Sequence, residues 1–194
     1  MIPKNIIVHH TASARDTTTV QAVDRYHRDK DWGGGARIPK SSLGWYVAYH
    51  YFIEVTGAVT QCADDSEIRW HAAERNIDSL GICLAGWFDD GHDTLPTPAQ
   101  VKSLTELLKF KSKQYSIPAS QIYPHRKFAN KTCYGLHMGD DWAANLIRTP
   151  YNQITDPKFL KRYKADQIVK LPDGKIVLKK GVVPIAGTTK VIYQ

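Results

Sequence analysis

Asn5-Ile6-Ile7-Val8-His9-His10-Thr11-Ala12 decides how this chain is read. The run Asn5–Val8 is continuously apolar after its first residue and too short for a stable helix. It predicts a short strand, buried on both faces, in a sheet covered by other layers. His9 and His10 follow at its end, and the ends of such strands are where sites are built. Side chains alternate along a strand, so only one of the two can face a given side. The spacing does not say which.

Outward from this strand the pattern mixes helices and strands. Thr17–Lys30 predicts a helix, with Thr18 and Gln21 as a capping box and Val20, Val23 and His27 on one face. Trp32-Gly33-Gly34-Gly35 and the residues up to Tyr46 form a loop rich in Gly, Ser and Pro. Trp45–Val55, aromatic and β-branched, predicts a strand, and Thr56-Gly57 turns it into a second one, Ala58–Cys62. Leu80–Gly86 is a third stretch of strand length after the opening one. Thr97–Tyr115 is a helix on strong grounds: Thr97 and Gln100 form a capping box, and Pro98 takes the first helical position. Its apolar face comprises Val101, Leu104, Leu108 and Tyr115, with Leu107 alongside. Residues 120–135 predict strand and loop, and Trp142–Arg148 a short final helix. The expected fold is α/β, a mixed central sheet flanked by helices.

Composition changes at Pro150. Residues 150–194 contain no His, Cys or Trp. Ile168–Leu171 and Lys175–Leu178 flank Pro172-Asp173-Gly174, a turn signal between two short runs, and Gly181–Tyr193 adds a candidate strand. Two parts are therefore expected: a domain over 1–149 and a small, basic, β-rich C-terminal extension over 150–194. The 194 residues carry 26 Lys and Arg against 19 Asp and Glu. That excess is not evenly spread. Residues 1–149 hold 17 basic against 16 acidic side chains, and residues 150–194 hold 9 against 3. The basic signal thus belongs to the extension, which suits an anionic polymer. Nucleic acid is supported by charge alone, because neither a helix-turn-helix nor a zinc-finger spacing is present.

Three cysteines, Cys62, Cys83 and Cys133, are too few and odd in number for a disulfide framework. No apolar run approaches a membrane span of ~20 residues. The first residues carry no apolar leader, so synthesis in the cytoplasm without a signal peptide is expected. His125 and Cys133 lie eight residues apart, which is not a zinc-finger spacing. Two neighbouring donors with one distant histidine do suit a catalytic zinc, which takes three protein ligands and leaves one position open. Lys131 precedes Cys133 by two and would point the same way in an extended segment, placing a cation where an oxyanion forms. Tyr49, within Tyr49-His50-Tyr51-Phe52-Ile53, offers a hydroxyl near a strand end.

These motifs, in this order, resemble the type-2 N-acetylmuramoyl-L-alanine amidases, the group of peptidoglycan-recognition proteins and phage-lysozyme zinc amidases. Ile6–Ala12 is similar to their opening strand, and Tyr49–Ile53 with Thr56-Gly57 to their central hairpin. His71-Ala72-Ala73, Asn76 and Ser79–Gly86 resemble their next segment, Thr97-Pro98-Ala99-Gln100 the start of their long helix, and His125, Lys131 and Cys133 their last motif. The resemblance covers about residues 2–148. It implies one zinc ion held by His9, His125 and Cys133, with Tyr49 and Lys131 as catalytic residues. It also implies substrate contact by His71, and Asn76 and Trp45 are assigned to the same groove. The reaction implied is hydrolysis of the amide between N-acetylmuramic acid and L-alanine in peptidoglycan or a muropeptide. The setting implied is a phage or bacterial lytic enzyme that reaches the wall through a separate lysis function. A non-catalytic recognition module and a cytoplasmic muropeptide-recycling amidase are the alternatives. A Cys133 nucleophile with a histidine base is another, and would resist chelators. Tyr134-Gly135 stands where many relatives have Pro-Gly, and Gly33–Trp45 is longer than the expected connection.

Overall fold

The opening apolar run folds as β1, Asn5–His10, and all six of its residues are buried. In this computed structural model residues 1–93, 95–148, 168–170 and 176–178 are described. β1 is longer than Asn5–Val8 because both histidines stay in register with their neighbour. His9 pairs with Cys83 and His10 with Leu84 on β4, Ser79–Leu84. The sheet has five strands, in the order β3-β2-β4-β1-β5. The remaining strands are β2 (Tyr51–Ile53), β3 (Val59–Gln61) and β5 (Ile122–Pro124). The β2–β4, β4–β1 and β1–β5 pairs are parallel, and only the β2–β3 hairpin is antiparallel. This is the mixed sheet with helices that the sequence leads one to expect. β4 is buried along its whole length like β1, as parallel strands covered on both faces must be.

Helix α1 runs Val20–Asp29, shorter than expected, because its cap is Thr19 and not Thr18. The Thr19 side chain accepts from the Ala22 amide, while the Thr18 hydroxyl donates to the Ala14 carbonyl. Val20, Val23 and His27 are its buried residues. Helix α2, Pro98–Tyr115, has both halves of the Thr97–Gln100 capping box. Its buried residues are Gln100, Leu104, Leu108 and Lys111, so the inward face includes two polar side chains that an apolar pattern passes over. Each has partners. Gln100 donates to the carbonyls of Ala85 and Ile53, and Lys111 bonds Asp65, which also accepts from the hydroxyls of Tyr51 and Tyr115. Helix α3 is Trp142–Arg148.

Trp45–Val55 is not one strand. Only Tyr51–Ile53 is regular, and residues 45–50 run irregularly into it. Side chains from elsewhere take up the backbone groups that a strand neighbour would have used. Asp24 accepts from the Tyr46 amide, His27 Nδ1 accepts from the Ala48 amide, and Arg69 donates twice to the Val47 carbonyl. Arg69 is 1% exposed, and Glu67 is its nearest ion-pair partner at 3.9 Å.

The chain divides into two compact units, Met1–Leu146 and Ile147–Gln194. In the second, β6 (Ile168–Lys170) and β7 (Ile176–Leu178) pair antiparallel, with Ile168 opposite Leu178. The Pro172-Asp173-Gly174 turn, the Gly181–Tyr193 strand and most of the basic residues after 149 lie outside the described residues. Among the described residues no helix is long and apolar enough to cross a membrane.

Three buried histidines serve the fold as neutral acceptors. Nδ1 of His10, His27 and His50 accepts from the amides of Phe88, Ala48 and Gly81 at 3.2, 3.1 and 3.0 Å. Burial pulls each of the three down to about 4. In the unfolded chain they take up protons near pH ~6.5. Between those values the unfolded state binds more protons, so stability falls as the pH falls. Urea midpoints measured from pH 7 to pH 4 are expected to decline through this window. A flat profile would mean that these rings are not buried in neutral form.

Candidate metal centre

The parallel pairing of β1 with β5 sets two histidines side by side. Val8 is paired with Pro124, so His9 and His125 follow at adjacent strand ends, the latter in a 3-10 turn over His125–Lys127. Their ring centroids are 4.5 Å apart. Alternation then separates the opening pair. His9 faces His125, Tyr49 and His71, whereas His10 faces Phe88 and accepts its amide hydrogen.

Cys133 comes back to the same place on the loop after β5. Its carbonyl accepts from the Arg126 amide at 2.6 Å, and its Sγ accepts from the His10 amide at 3.3 Å. Sγ lies 3.9 Å from His9 Nδ1. One donor atom each from His9, His125 and Cys133 all fall within 4.8 Å of one another. Ligand bonds of ~2.0–2.3 Å to one tetrahedral ion require this degree of convergence. The donor chemistry fits as well. Burial holds His9 well below the usual imidazole value and pulls His125 to about 4, with Lys131 adding to the second shift. Both rings are therefore neutral with a lone pair to give. Burial pushes the Cys133 thiol up to about 12, against the pull of the His10 amide and of Lys131. A dication would reverse that balance, because a ligating thiol is deprotonated.

Tyr49 stands over His9, with ring centroids 5.0 Å apart, and 5.7 Å from His27 on α1. Burial, with Cys83 and Cys133 nearby, keeps its phenol protonated well past its ordinary value. Lys131 is exposed at the edge of the cluster, close enough for its charge to act on His9, His125 and Cys133. The five residues that the sequence singles out for metal and catalysis thus come together.

The three assigned to substrate are placed by other contacts. His71 is 6% exposed and lies behind His9, its Nδ1 3.1 Å from His9 Nε2. Its ring packs against the start of β4, over Gly81. Asn76 Oδ1 accepts from the amides of His71 and Ala72 at 2.9 and 2.7 Å, so it clasps the turn that carries His71. Trp45 is half-buried and packs, with Tyr49, against the cluster of Val20, Val23, Val47, Phe52, Cys62, Cys83 and Ala85.

Sequence reading passes over the residues that hold the Cys133 loop. The Arg126 side chain donates to the carbonyls of Gly135 and Met138 at 2.7 and 2.6 Å and pairs with Asp140. Asp89 accepts from the Thr132 hydroxyl, the Leu136 amide and the Trp87 indole. Burial raises the Asp89 carboxyl, but these three donors outweigh it and the net shift is downward. No local pattern signals either role, since Asp89 acts on a loop more than 40 residues away.

Comparison with known proteins agrees with the geometry. The profile of a family described as N-acetylmuramoyl-L-alanine amidase matches residues 1–136. The chain is 28% identical over 147 residues to the endolysin of Escherichia phage T7, covering 74% of this chain and 88% of that one. It is 29% identical over 143 residues to peptidoglycan-recognition protein SC1a of Drosophila melanogaster, covering 70% and 69%. Among solved structures it is similar to the Ph2119 endolysin of a Thermus scotoductus MAT2119 bacteriophage. The TM-score there is 0.57 at 25% identity, over 75% of this chain and 85% of that one.

Arg126→Ala should cost about 2–3 kcal/mol in urea denaturation, the scale for losing charge-assisted hydrogen bonds that leave carbonyls unpaired. Amide hydrogen exchange at Arg126 and Gly135 should quicken in the same variant. Unchanged exchange there would show that Arg126 does not hold the loop.

Proposed function

The chain belongs to the N-acetylmuramoyl-L-alanine amidase family, and from that premise we propose that it is a zinc-dependent wall hydrolase. Its reaction is cleavage of the amide joining the lactyl group of N-acetylmuramic acid to L-alanine. The observation that carries this reading is the convergence of His9, His125 and Cys133, with Tyr49 over the same point. His9, His125 and Cys133 hold the ion. When bound, zinc supplies Lewis-acid polarisation of a carbonyl and lowers the pKa of water to about 7.

The chain's own residues do the rest. His9 and His125 would bind as neutral rings and Cys133 as a thiolate once the ion offsets its burial, with the His10 amide steadying the sulfur. The three donors would come from β1, from the end of β5 and from the following loop, with Lys131 exposed nearby. Tyr49, kept as a neutral phenol, orients the attacking water by hydrogen bonding and does not take its proton. Lys131 supplies the positive charge that stabilises the oxyanion formed as the amide carbonyl becomes tetrahedral. The same ammonium would serve as a proton donor to the leaving amine. Peptidoglycan or a muropeptide is the substrate, and the similarity to endolysins supports action on the wall after release from the cell that makes it.

Digestion of purified sacculi, followed by mass spectrometry with and without chelator, tests this directly. New L-alanine N-termini are expected, lost with chelator and restored by zinc. Cys133→Ser should abolish cleavage and loosen zinc together. Tyr49→Phe should keep zinc and lose about 10²–10³-fold in kcat, the scale for one aligned hydrogen-bonding group. Cleavage that survives chelation and dies on thiol alkylation would replace the metal by a Cys133 nucleophile. Tight binding to sacculi with no new termini would leave a recognition module.

A further inference from the structure

His71 is buried and is not among the three donors, yet it touches one of them. Its Nε2 points at two atoms of Ser79, the carbonyl oxygen and Oγ, each 3.4 Å away. The carbonyl can only accept. The hydroxyl gives its proton to the Arg75 carbonyl, so toward His71 it also offers only lone pairs. A neutral imidazole between such acceptors carries its proton on Nε2 and leaves Nδ1 bare. That bare Nδ1 is 3.1 Å from His9 Nε2, which must then be the protonated nitrogen of His9. The other His9 nitrogen, Nδ1, is bare and looks toward Cys133 Sγ at 3.9 Å.

We propose that His71 is a positioning residue that locks His9 as its Nε2–H tautomer, through a relay from the Ser79 carbonyl, and so aims an unprotonated Nδ1 at the zinc position. The inference rests on the metal reading above for its purpose, but not for its geometry. Metal-ligating histidines commonly donate their second N–H to a carboxylate or backbone carbonyl. Here a second imidazole is inserted between the ligand and the carbonyl. No carboxylate takes part, so the relay sets the tautomer without adding negative charge beside the thiolate.

The seat for His71 is built into the sheet. A Cβ at Gly81 would stand 2.7 Å from His71 Cγ and 2.9 Å from its Nδ1, so only glycine lets the ring lie against β4. On the other side Asn76 Oδ1 fixes the backbone at residues 71 and 72. His50 closes the third side edge-on, with ring centroids 5.7 Å apart, and is itself held between the Gly81 amide and the Glu67 carbonyl. Nothing in this enclosure lets the ring turn over.

The test uses the full chain labelled with 15N-histidine. Long-range 1H–15N correlations in the metal-free protein at pH 7.5 should show both His9 and His71 as Nε2–H tautomers. Zinc titrated against a chromophoric chelator should bind about 10–100-fold more weakly to His71→Leu, which has no acceptor for His9. His71→Asn keeps an acceptor where Nδ1 sits and should recover most of that loss, which a purely space-filling role would not predict. A metal-free His9 that carries its proton on Nδ1 would overturn the proposal. So would a folded His71→Leu with wild-type zinc affinity. Should His71→Leu not fold, the wild-type tautomers and the His71→Asn affinity still decide. If the wild-type chain takes up no zinc at all, the metal reading fails, while the tautomers still show whether the relay exists.

Discussion

β1 lies between two parallel neighbours and is buried along both faces, so its last two residues cannot be left to water. Alternation sends His9 into one layer and His10 into the other. Each histidine then has to find partners among buried groups. On one face His10 accepts the Phe88 amide hydrogen and its own backbone amide points at Cys133 Sγ. On the other face His9 meets His71 through one nitrogen and Cys133 through the other. The donor cluster is therefore not an addition to a finished sheet. It is how the sheet deals with two polar residues at the end of a buried strand.

The same economy shapes the segment that carries Tyr49. Residues 46–48 precede the regular strand, and their backbone groups are claimed by Asp24, His27 and Arg69. Two of these come from α1 and the third from the segment before His71. A buried guanidinium is expensive unless hydrogen-bonded. Arg69 meets that demand with the Val47 carbonyl, two residues before Tyr49. Irregular backbone fixed by long-range side chains places the phenol over His9 without committing it to the alternation of a strand.

What could be read in advance divides along this line. The strand at residues 5–8, the capping box at Thr97 and Gln100, and the cluster of His9, His125 and Cys133 with Tyr49 and Lys131 all show in local pattern or in ordered motifs. Local pattern carries periodicity and caps well, because those depend on neighbours in sequence. It carries poorly the polar residues whose partners are remote. Gln100 and Lys111 look like the solvent side of α2 until Ala85 and Asp65 are placed beside them. Trp45–Val55 looks like a strand until side chains take its hydrogen bonds. His71 belongs with these. Its motif marks it as important, but only the position of Ser79 and the missing Cβ at Gly81 show that it serves His9 from behind.

Charge explains why the arrangement is asymmetric. Burial disfavours the charged form of every donor, keeping both imidazoles neutral and the thiol protonated in the absence of a counter-charge. A carboxylate behind His9 would have added a negative charge to a pocket that must also take a thiolate. An imidazole relay ending on a backbone carbonyl adds none. The positive groups are kept to the rim instead: Lys131 is exposed, and Arg126 is spent on the carbonyls of the Cys133 loop. A dication held by two neutral rings and one thiolate would carry a net positive charge, near the exposed Lys131. That is the sign required where an amide carbonyl becomes an oxyanion.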